Sequence, residues 1–185
     1  MNIKPFSNKE RRRASTFSYS NTRIRACKTL FERKRTETML FPQILYLGRG
    51  INFPIALEGA LKLKQVSYMS AEAYPSAEIK HGPIAIVDKR TPVVLLAPGD
   101  SVYAKTLADL EEVKARAGFV FAITAEGDRE IAGKTDYVVQ IPEADSFSNP
   151  FLTVVPLQLF AYYEALLRGI DPDRPRNLAK GVIVE

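Results

Sequence analysis

A short apolar strand that runs straight into a glycine turn and a helix limits this chain more than any other feature does. Residues 44–47 (ILYL) are a continuous apolar run that stops at Gly48, which is typical of a strand buried on both faces of a parallel sheet. Pro54 then suits the first turn of a helix, where its missing N–H is harmless, and apolar positions continue to about Met69. Because neighbouring parallel strands are joined by crossovers that are usually helical, this stretch predicts an α/β fold.

Four more candidate strands follow, separated by helical or irregular segments. They are short apolar runs bounded by turn residues, at residues 71–74, 92–97, 119–123 and 137–141. Ser101 is the predicted N-cap of an amphipathic helix that ends at Gly118. A long apolar helix over residues 149–168 contains Pro156, which predicts a kink. Strands that alternate with helices in this way predict one parallel sheet covered on both faces, a three-layer α-β-α sandwich.

The charge of the chain is divided unevenly along its length. The net charge is +5, yet residues 1–40 hold eleven Lys or Arg against three Glu, whereas the remainder holds fifteen against eighteen Asp or Glu. A basic leader of this kind suggests a nucleic-acid arm or a transit peptide. It is more often a disordered extension, which is the interpretation we favour. We therefore do not expect nucleic acid as a partner.

Cysteine, histidine and hydropathy exclude several classes of protein. Cys27 is the single cysteine, which excludes an intramolecular disulfide and a cysteine-based zinc site, and one histidine argues against a histidine-rich metal site. No apolar run is expected to approach the roughly 20 residues that span a bilayer, and the first residues lack the apolar core of a secretory signal. These features predict a cytoplasmic protein with no metal centre and no membrane partner.

Three polar residues of the first helix are candidates for chemistry. Glu58, Lys62 and Gln65 stand at i, i+4 and i+7, so they line up on one helix face. Since the helix follows a strand-to-helix turn, we expect this face to point into the crevice where α/β folds bind ligands. The simpler interpretation is a salt bridge between Glu58 and Lys62 on a solvated helix. The preceding Gly-Arg-Gly turn matches neither a dinucleotide fingerprint nor a P-loop.

Two further side chains could take part in a reaction. His81 lies in a predicted loop, where functional groups concentrate, although a lone histidine is more often incidental. Lys180 lies in a polar tail, and the apolar residues 178 and 182–184 could dock that tail on the domain. A docked lysine that loses water becomes a better nucleophile toward carbonyl groups. The residues alone favour a flexible end over a catalytic lysine.

Several motifs are long enough to resemble one known family. LGRG, PIALEGALKLK, VSYMSAEAY and KHGP, together with the terminal PRNLAK, closely resemble the carboxyl end of glucosamine-6-phosphate synthase, also called glutamine–fructose-6-phosphate aminotransferase (isomerising). The similarity covers residues 45–185. It implies a sugar-isomerase (SIS) fold, which is flavodoxin-like and has a five-stranded parallel sheet flanked by helices. We accordingly expect an SIS domain over residues 41–170 and a tail over residues 171–185 that docks over the active site.

The resemblance implies that the tail carries the central lysine of the reaction. Lys180 would form a Schiff base with the keto form of fructose 6-phosphate, while Arg176 and Ala179 would bind the substrate. The ligand implied is a sugar phosphate, either fructose 6-phosphate or glucosamine 6-phosphate. No cofactor and no metal ion is implied.

For the helix, the resemblance implies that Glu58 and Lys62 are active-site groups. For the loop, it implies that His81 promotes opening of the sugar ring from across a subunit interface. Gln65 departs from the family, which has a glutamate there that carries the proton between the sugar carbons. A carboxamide does not accept that proton near neutral pH. Isomerisation should therefore fall by the roughly 10²–10⁴-fold typical of losing a general base.

The resemblance leaves two interpretations of function open. The glutaminase of the family and its first SIS half, which holds the sugar phosphate, are expected to be absent, so a homodimer or a partner chain would supply them to an aminotransferase/isomerase. The alternative is a catalytically silent phosphosugar-binding or dimerisation module. A regulator that joins a helix-turn-helix to an SIS domain is disfavoured, because residues 1–40 are too short and have too few periodic apolar positions.

Overall fold

The centre of the fold is a parallel sheet of five strands. The computed structural model describes residues 43–177 of the chain. In chain order the strands are β1 (Gln43–Gly48), β2 (Ser70–Pro75), β3 (Val93–Ala97), β4 (Val120–Ala125) and β5 (Tyr137–Ile141). They are hydrogen-bonded in the order β2-β1-β3-β4-β5, and every neighbouring pair is parallel. This is the strand order of flavodoxin-like folds, so the predicted fold class is confirmed.

Helices cover both faces of this sheet. They are α1 (Asn52–Ser67), α2 (Tyr103–Lys114), α3 (Arg129–Lys134) and α4 (Asn149–Leu167), with two short 3₁₀ helices at Ser76–His81 and Pro83–Ile86. α1 and α4 share a buried cluster with Tyr46 on one face, whereas α2 and α3 share another with Leu47 on the opposite face. Successive strand residues alternate between the two clusters because their side chains point to opposite faces. The described residues therefore form three layers.

The apolar runs that predict the strands have a simple cause. β3 is buried at all five positions, and β1 is buried at every position after Gln43. A strand that helices cover on both faces needs apolar side chains on both. β2 lies at the edge of the sheet, and its sequence SAEAYP is correspondingly only partly buried.

The start of α2 differs from the prediction, because Ser101 is not its N-cap. The helix begins two residues later at Tyr103, and Asp100 organises the turn before it. The backbone N–H of Val102 donates to Oδ1 of Asp100 at 3.0 Å, and the N–H of Tyr103 donates to the carbonyl oxygen of Asp100 at 3.1 Å. Aspartate reaches the N–H two residues on in this way, and it therefore competes successfully with serine for the turn.

α4 corrects the expectation that no segment is long enough to cross a membrane. It has 19 residues and a mean hydropathy of 1.3, which suffices by length and composition alone. This evidence is weak, because the core helix of a domain passes the same test, and residues of α4 such as Leu157 and Phe160 pack in the core beside α1 and the sheet. The helix continues through Pro156. The kink expected at this proline stays a prediction.

Gly59 lets α1 lie close to the sheet and to α4. A Cβ atom at this position would be 2.8 Å from Cδ1 of Leu157 and 3.0 Å from Cε1 of Tyr46, closer than side-chain carbons normally approach. The missing side chain at this position therefore permits the close packing of α1 against the sheet and α4.

Candidate functional site

Glu58, Lys62 and Gln65 lie together on the outer side of α1. The Nζ atom of Lys62 is 3.3 Å from Oε1 of Glu58, and it donates a hydrogen bond of 3.3 Å to Oε1 of Gln65. The other side of α1 faces the core through Ala56 and Leu63, which have no exposed surface. The structure therefore places the three side chains on one face, as their spacing predicts. We call these three residues the α1 cluster.

The α1 cluster contributes little to the stability of the fold. The side chains of Glu58 and Lys62 are each 37% exposed, and an exposed i, i+4 ion pair is typically worth about 0.3–0.5 kcal/mol. The salt bridge of the simpler interpretation does form. Because it is so weak, it leaves the ammonium of Lys62 available to a ligand.

The tail of the described chain reaches the end of α1 beside this cluster. Lys64, Gln65 and Tyr68 line an open groove of about 210 Å³ together with Arg176 and Asn177 of the tail. The backbone N–H of Arg176 donates to the hydroxyl oxygen of Tyr68 at 2.7 Å. Its guanidinium carbon lies 4.1 Å from the centre of the Tyr68 ring, a cation–π distance. The fold thus brings the tail next to Gln65, although 111 positions separate Gln65 from Arg176 in the sequence.

The crevice at the carboxyl edge of the sheet does not contain the α1 cluster, which corrects the expectation from the sequence. α1 begins at this edge after β1 and runs back toward the amino edge, where Ser70 opens β2. Glu58 is already the seventh residue of α1, about 9 Å along a helix that rises 1.5 Å per residue. The turn before a crossover helix places only the first residues of that helix at the crevice.

At this edge the protein's own side chains are hydrogen-bonded to one another. The Nδ2 atom of Asn52, at the start of α1, donates to Oδ2 of Asp100 at 2.6 Å, which joins the loops that follow β1 and β3. Behind it, Oδ2 of Asp109 accepts from Arg49 at 2.9 Å and from the buried hydroxyl of Ser76 at 2.5 Å. These five residues, which we call the edge network, tie three loops to α2.

The first residues of α1 are also committed to local hydrogen bonds. The backbone N–H of Asn52 donates to the carbonyl oxygen of Arg49 at 3.1 Å, and that of Phe53 donates to the carbonyl oxygen of Gly50 at 3.1 Å. Pro54 follows and has no N–H to offer. A helix start binds an anion through free N–H groups, so this start is poorly suited to that role.

Asp128 forms a second hydrogen-bonded contact at the same edge, after β4. Its side chain caps α3 by accepting from the N–H of Glu130 and of Ile131, and its Oδ2 accepts from the hydroxyls of Thr124 at 2.5 Å and Tyr103 at 2.7 Å. Burial by itself would raise the pKa of the Asp128 carboxyl, but these hydrogen bonds outweigh burial and lower it. Burial and the contact with Asp128 raise the pKa of Tyr103. Both effects mark a structural contact rather than a reactive group.

His81 lies far from the α1 cluster within one copy of the chain. It ends the 3₁₀ helix that follows β2, whereas Gln65 precedes β2, and a six-residue strand spans about 20 Å. Its side chain is 74% exposed, and its Nε2 atom is 3.9 Å from Oε2 of Glu78. A single copy therefore does not bring His81 and Gln65 together, although both belong to one motif-rich stretch of sequence.

Other predicted features lie outside the residues that the structure describes. These are Lys180 and Ala179 of the tail and the basic leader over residues 1–40. Within residues 43–177, no group of three or more His, Cys, Asp or Glu side chains is arranged to hold a metal ion. Sequence reasoning missed Tyr68 and the edge network, because their partners lie between 33 and 108 positions away and no local motif marks them.

The model of the SIS domain family matches residues 42–168, which is more than half of the chain. The chain therefore belongs to the SIS domain family. More particularly, it is 60% identical over 141 residues to the glutamine–fructose-6-phosphate aminotransferase (isomerising) of Chlorobaculum tepidum, covering 76% of this chain and 23% of that one. It is 53% identical over 154 residues to the enzyme of the same name from Aquifex aeolicus, covering 83% and 26%. The resemblance read from the motifs is thus confirmed.

A solved structure agrees with these relatives. The C-terminal domain of glucosamine-fructose-6-phosphate aminotransferase from Francisella tularensis superposes with a TM-score of 0.75 and 38% identity, over 83% of this chain and 43% of that one. Glucosamine-6-phosphate deaminase from Thermotoga maritima superposes with a TM-score of 0.70 and 26% identity, over 96% and 50%. The chain spans about a quarter of the length of the two curated relatives.

Proposed function

We propose that this chain is the part of a glutamine–fructose-6-phosphate aminotransferase that binds fructose 6-phosphate and carries the lysine for its Schiff base. The observation that supports this most directly is the contact of the tail with α1. Arg176 docks on Tyr68 beside Gln65, so the segment that leads to Lys180 starts next to the α1 cluster. The relatives named for this activity are 60% and 53% identical to the chain.

The proposed chemistry assigns each group one step. The amine of Lys180 attacks the C2 carbonyl carbon of open-chain fructose 6-phosphate and water leaves, which gives a protonated imine. The imine activates C2, so ammonia can replace the lysine amine there; isomerisation then requires a base that takes a proton from C1 and gives one to C2, which leaves the nitrogen on C2 of glucosamine 6-phosphate. Lys62, whose Nζ atom lies 3.3 Å from Oε1 of Glu58 and from Oε1 of Gln65, is the cation assigned to this step in the proposal.

Gln65 is the specific observation in favour of the second candidate, a silent phosphosugar-binding or dimerisation module. Its Oε1 atom accepts a hydrogen bond from Lys62, as a carboxylate in the same place would, but a carboxamide does not take up a proton near neutral pH. Binding and imine formation do not need that base. The proposal is therefore that imine formation is retained while isomerisation is slow.

A partner that completes the site is part of the proposal. Leu57 and Leu61 are 46% and 43% exposed and share the outer side of α1 with the α1 cluster, while Tyr162 and Leu166 are exposed on the neighbouring α4. A second copy or another SIS half that covered these apolar side chains would also exclude water from the α1 cluster. His81, which one copy leaves distant, would then come from the partner. A homodimer of this chain and a cytoplasmic location complete the proposal.

Borohydride trapping tests the proposal on the full chain. The protein is incubated with fructose 6-phosphate and reduced, and the carboxyl-terminal peptide is analysed by mass spectrometry. We expect an adduct on Lys180 that Lys180→Arg abolishes, and that Lys105→Arg, which changes an exposed lysine on α2, leaves intact. No adduct on Lys180, even at high substrate concentration, would contradict the imine and leave the silent module as the function.

A further inference from the structure

The contact between Tyr68 and Arg176 is notable because the backbone of Tyr68 has an unusual conformation. Tyr68 is the C-cap of α1 and has φ of 59°, in the left-handed region that glycine or asparagine usually occupies at a helix end. Its own N–H donates to the carbonyl oxygen of Lys64 at 3.2 Å. A bulky residue in this conformation indicates that its side chain has a function there.

That side chain holds the tail in two ways at once. The hydroxyl oxygen accepts the N–H of Arg176 at 2.7 Å, and the ring receives the guanidinium at 4.1 Å. The other hydrogen bonds described for residues 170–177 are local, such as those from Arg174 and Asp173 to Asp171. Within the described part of the tail, Tyr68 is thus the residue through which hydrogen bonding reaches α1.

This contact lies close in the sequence to the lysine proposed for the Schiff base. Arg176 precedes Lys180 by four residues, a separation that an extended chain spans in about 13–14 Å. Tyr68 is three residues beyond Gln65, about one helical turn, and the two residues line the same groove. Arg176, four residues before Lys180 in the sequence, is therefore held beside Gln65.

We propose that Tyr68 is a positioning residue that fixes the tail through Arg176 and so directs Lys180 toward the α1 cluster. The inference rests on the function proposed above, because Lys180 is the group that is directed. Tyr68 itself touches no reacting atom. Its ring supplies most of the effect, since the stacked guanidinium fixes the side chain of Arg176, and its hydroxyl sets the backbone.

Trypsin provides a measurement of the docked tail that does not depend on substrate. It cleaves after Arg176 only when that side chain leaves the Tyr68 ring, and Pro175 protects the bond after Arg174. We expect Tyr68→Leu to speed cleavage of the Arg176–Asn177 bond about tenfold, and Tyr68→Phe, which keeps the ring, to speed it only about twofold. Phe147→Leu, a change at an aromatic side chain that is 79% exposed just before α4, should leave the rate unchanged. An unchanged rate in Tyr68→Leu would overturn the proposal.

Trapping of the Lys180 adduct then tests whether docking positions the lysine. At saturating fructose 6-phosphate we expect Tyr68→Leu to slow trapping about tenfold with little change in the half-saturating concentration, and Tyr68→Phe to restore most of the rate. If Tyr68→Leu speeds tryptic cleavage but does not slow trapping, the proposal is also overturned. Arg176→Gln removes the same stacking from the other partner, and it replaces Tyr68→Leu if that variant does not fold.

The two measurements separate this inference from the function on which it rests. If the unsubstituted chain forms no adduct, the Schiff-base chemistry proposed above is wrong, whereas the cleavage rates still decide whether Tyr68 holds the tail. If the adduct forms and depends on the ring of Tyr68, both proposals are supported.

Discussion

The two ends of α1 differ in almost every physical respect. At its start, the edge network buries Asn52 and Asp109 in hydrogen bonds with the loops around them. Near its end, the α1 cluster faces outward, and the tail lies across Tyr68. The start is where flavodoxin-like folds generally bind ligands. In this chain the side chains at the start are hydrogen-bonded to neighbouring segments, and the candidate chemistry lies along the rest of the helix.

The difference shows how stability and reactivity are separated along one helix. A buried polar group that loses its hydrogen-bond partner is strongly destabilising, so each bond of the edge network is expensive to remove. Exposed groups such as Glu58 and Lys62 stabilise the fold weakly, and a ligand can replace their contacts at little cost. Substitutions at the two ends should therefore affect different measurements.

The largest expected effect is a gain of activity near the end of α1. Gln65→Glu supplies a carboxylate next to Lys62, and with added ammonia it should raise the rate at which fructose 6-phosphate is converted to glucosamine 6-phosphate by about 10²–10⁴-fold. The rate is measured with the full chain at saturating substrate. Gln158→Glu, which adds the same charge at an exposed position of α4, should not change it. Equal rates for both variants would show that Gln65 is not the position of the base.

The second effect is a loss of stability at the start of α1. Asp109→Ala leaves the guanidinium of Arg49 and the fully buried hydroxyl of Ser76 without their acceptor, and it should lower the free energy of unfolding by about 2–4 kcal/mol. Urea denaturation measures this loss. Glu111→Ala, on the exposed side of α2, should change stability by less than about 0.5 kcal/mol. A loss at Asp109 as small as that at Glu111 would mean that the edge network does not stabilise the fold.

A smaller effect at the same edge depends on pH. Asp128→Ala removes the cap of α3 and the acceptor of Thr124, and it should destabilise the fold by about 1–2 kcal/mol at pH 7. Because folding lowers the pKa of Asp128, the stability that its carboxylate provides is present above the unfolded pKa of about 3.9 and is lost as the pH falls through the folded pKa.

The measurement is urea denaturation of the unsubstituted chain and of Asp128→Ala between pH 7 and pH 3. The difference in stability between them should be constant down to about pH 5 and should shrink below about pH 4. A difference that stays constant to pH 3 would contradict the lowered pKa. Asp173→Ala, at an exposed carboxyl, serves as the control with little difference at any pH.

The smallest effect on stability is expected where the effect on function is large. Lys62→Met breaks only exposed contacts, so the free energy of unfolding should change by less than about 0.5 kcal/mol. Under the proposed function it should nevertheless slow borohydride trapping of Lys180, since a cation beside the imine is lost. Lys105→Met on α2 should change neither quantity. A large stability loss in Lys62→Met would remove the contrast between the two ends.

Local sequence was a reliable guide wherever the cause of a structure was itself local. The apolar runs predicted all five strands, and their spacing with helices predicted the parallel sheet. Gly59 and Pro54 are consistent with the helix that contains them. The predicted N-cap of α2 was wrong, because Ser101 and Asp100 are both good turn residues and only the joint contact of Asp100 with Asn52 favours aspartate.

By itself, the sequence determined the fold class, the common face of Glu58, Lys62 and Gln65, and the family. The periodicity of a strand or a helix is visible within a few residues, and long shared motifs indicate the family directly. Only the tertiary structure decided that Asn52 and Asp109 are hydrogen-bonded to side chains of other segments, and that Arg176 meets Tyr68. Those facts depend on residues 33 to 108 positions apart, and their contacts exist only after the sheet and its helices have packed.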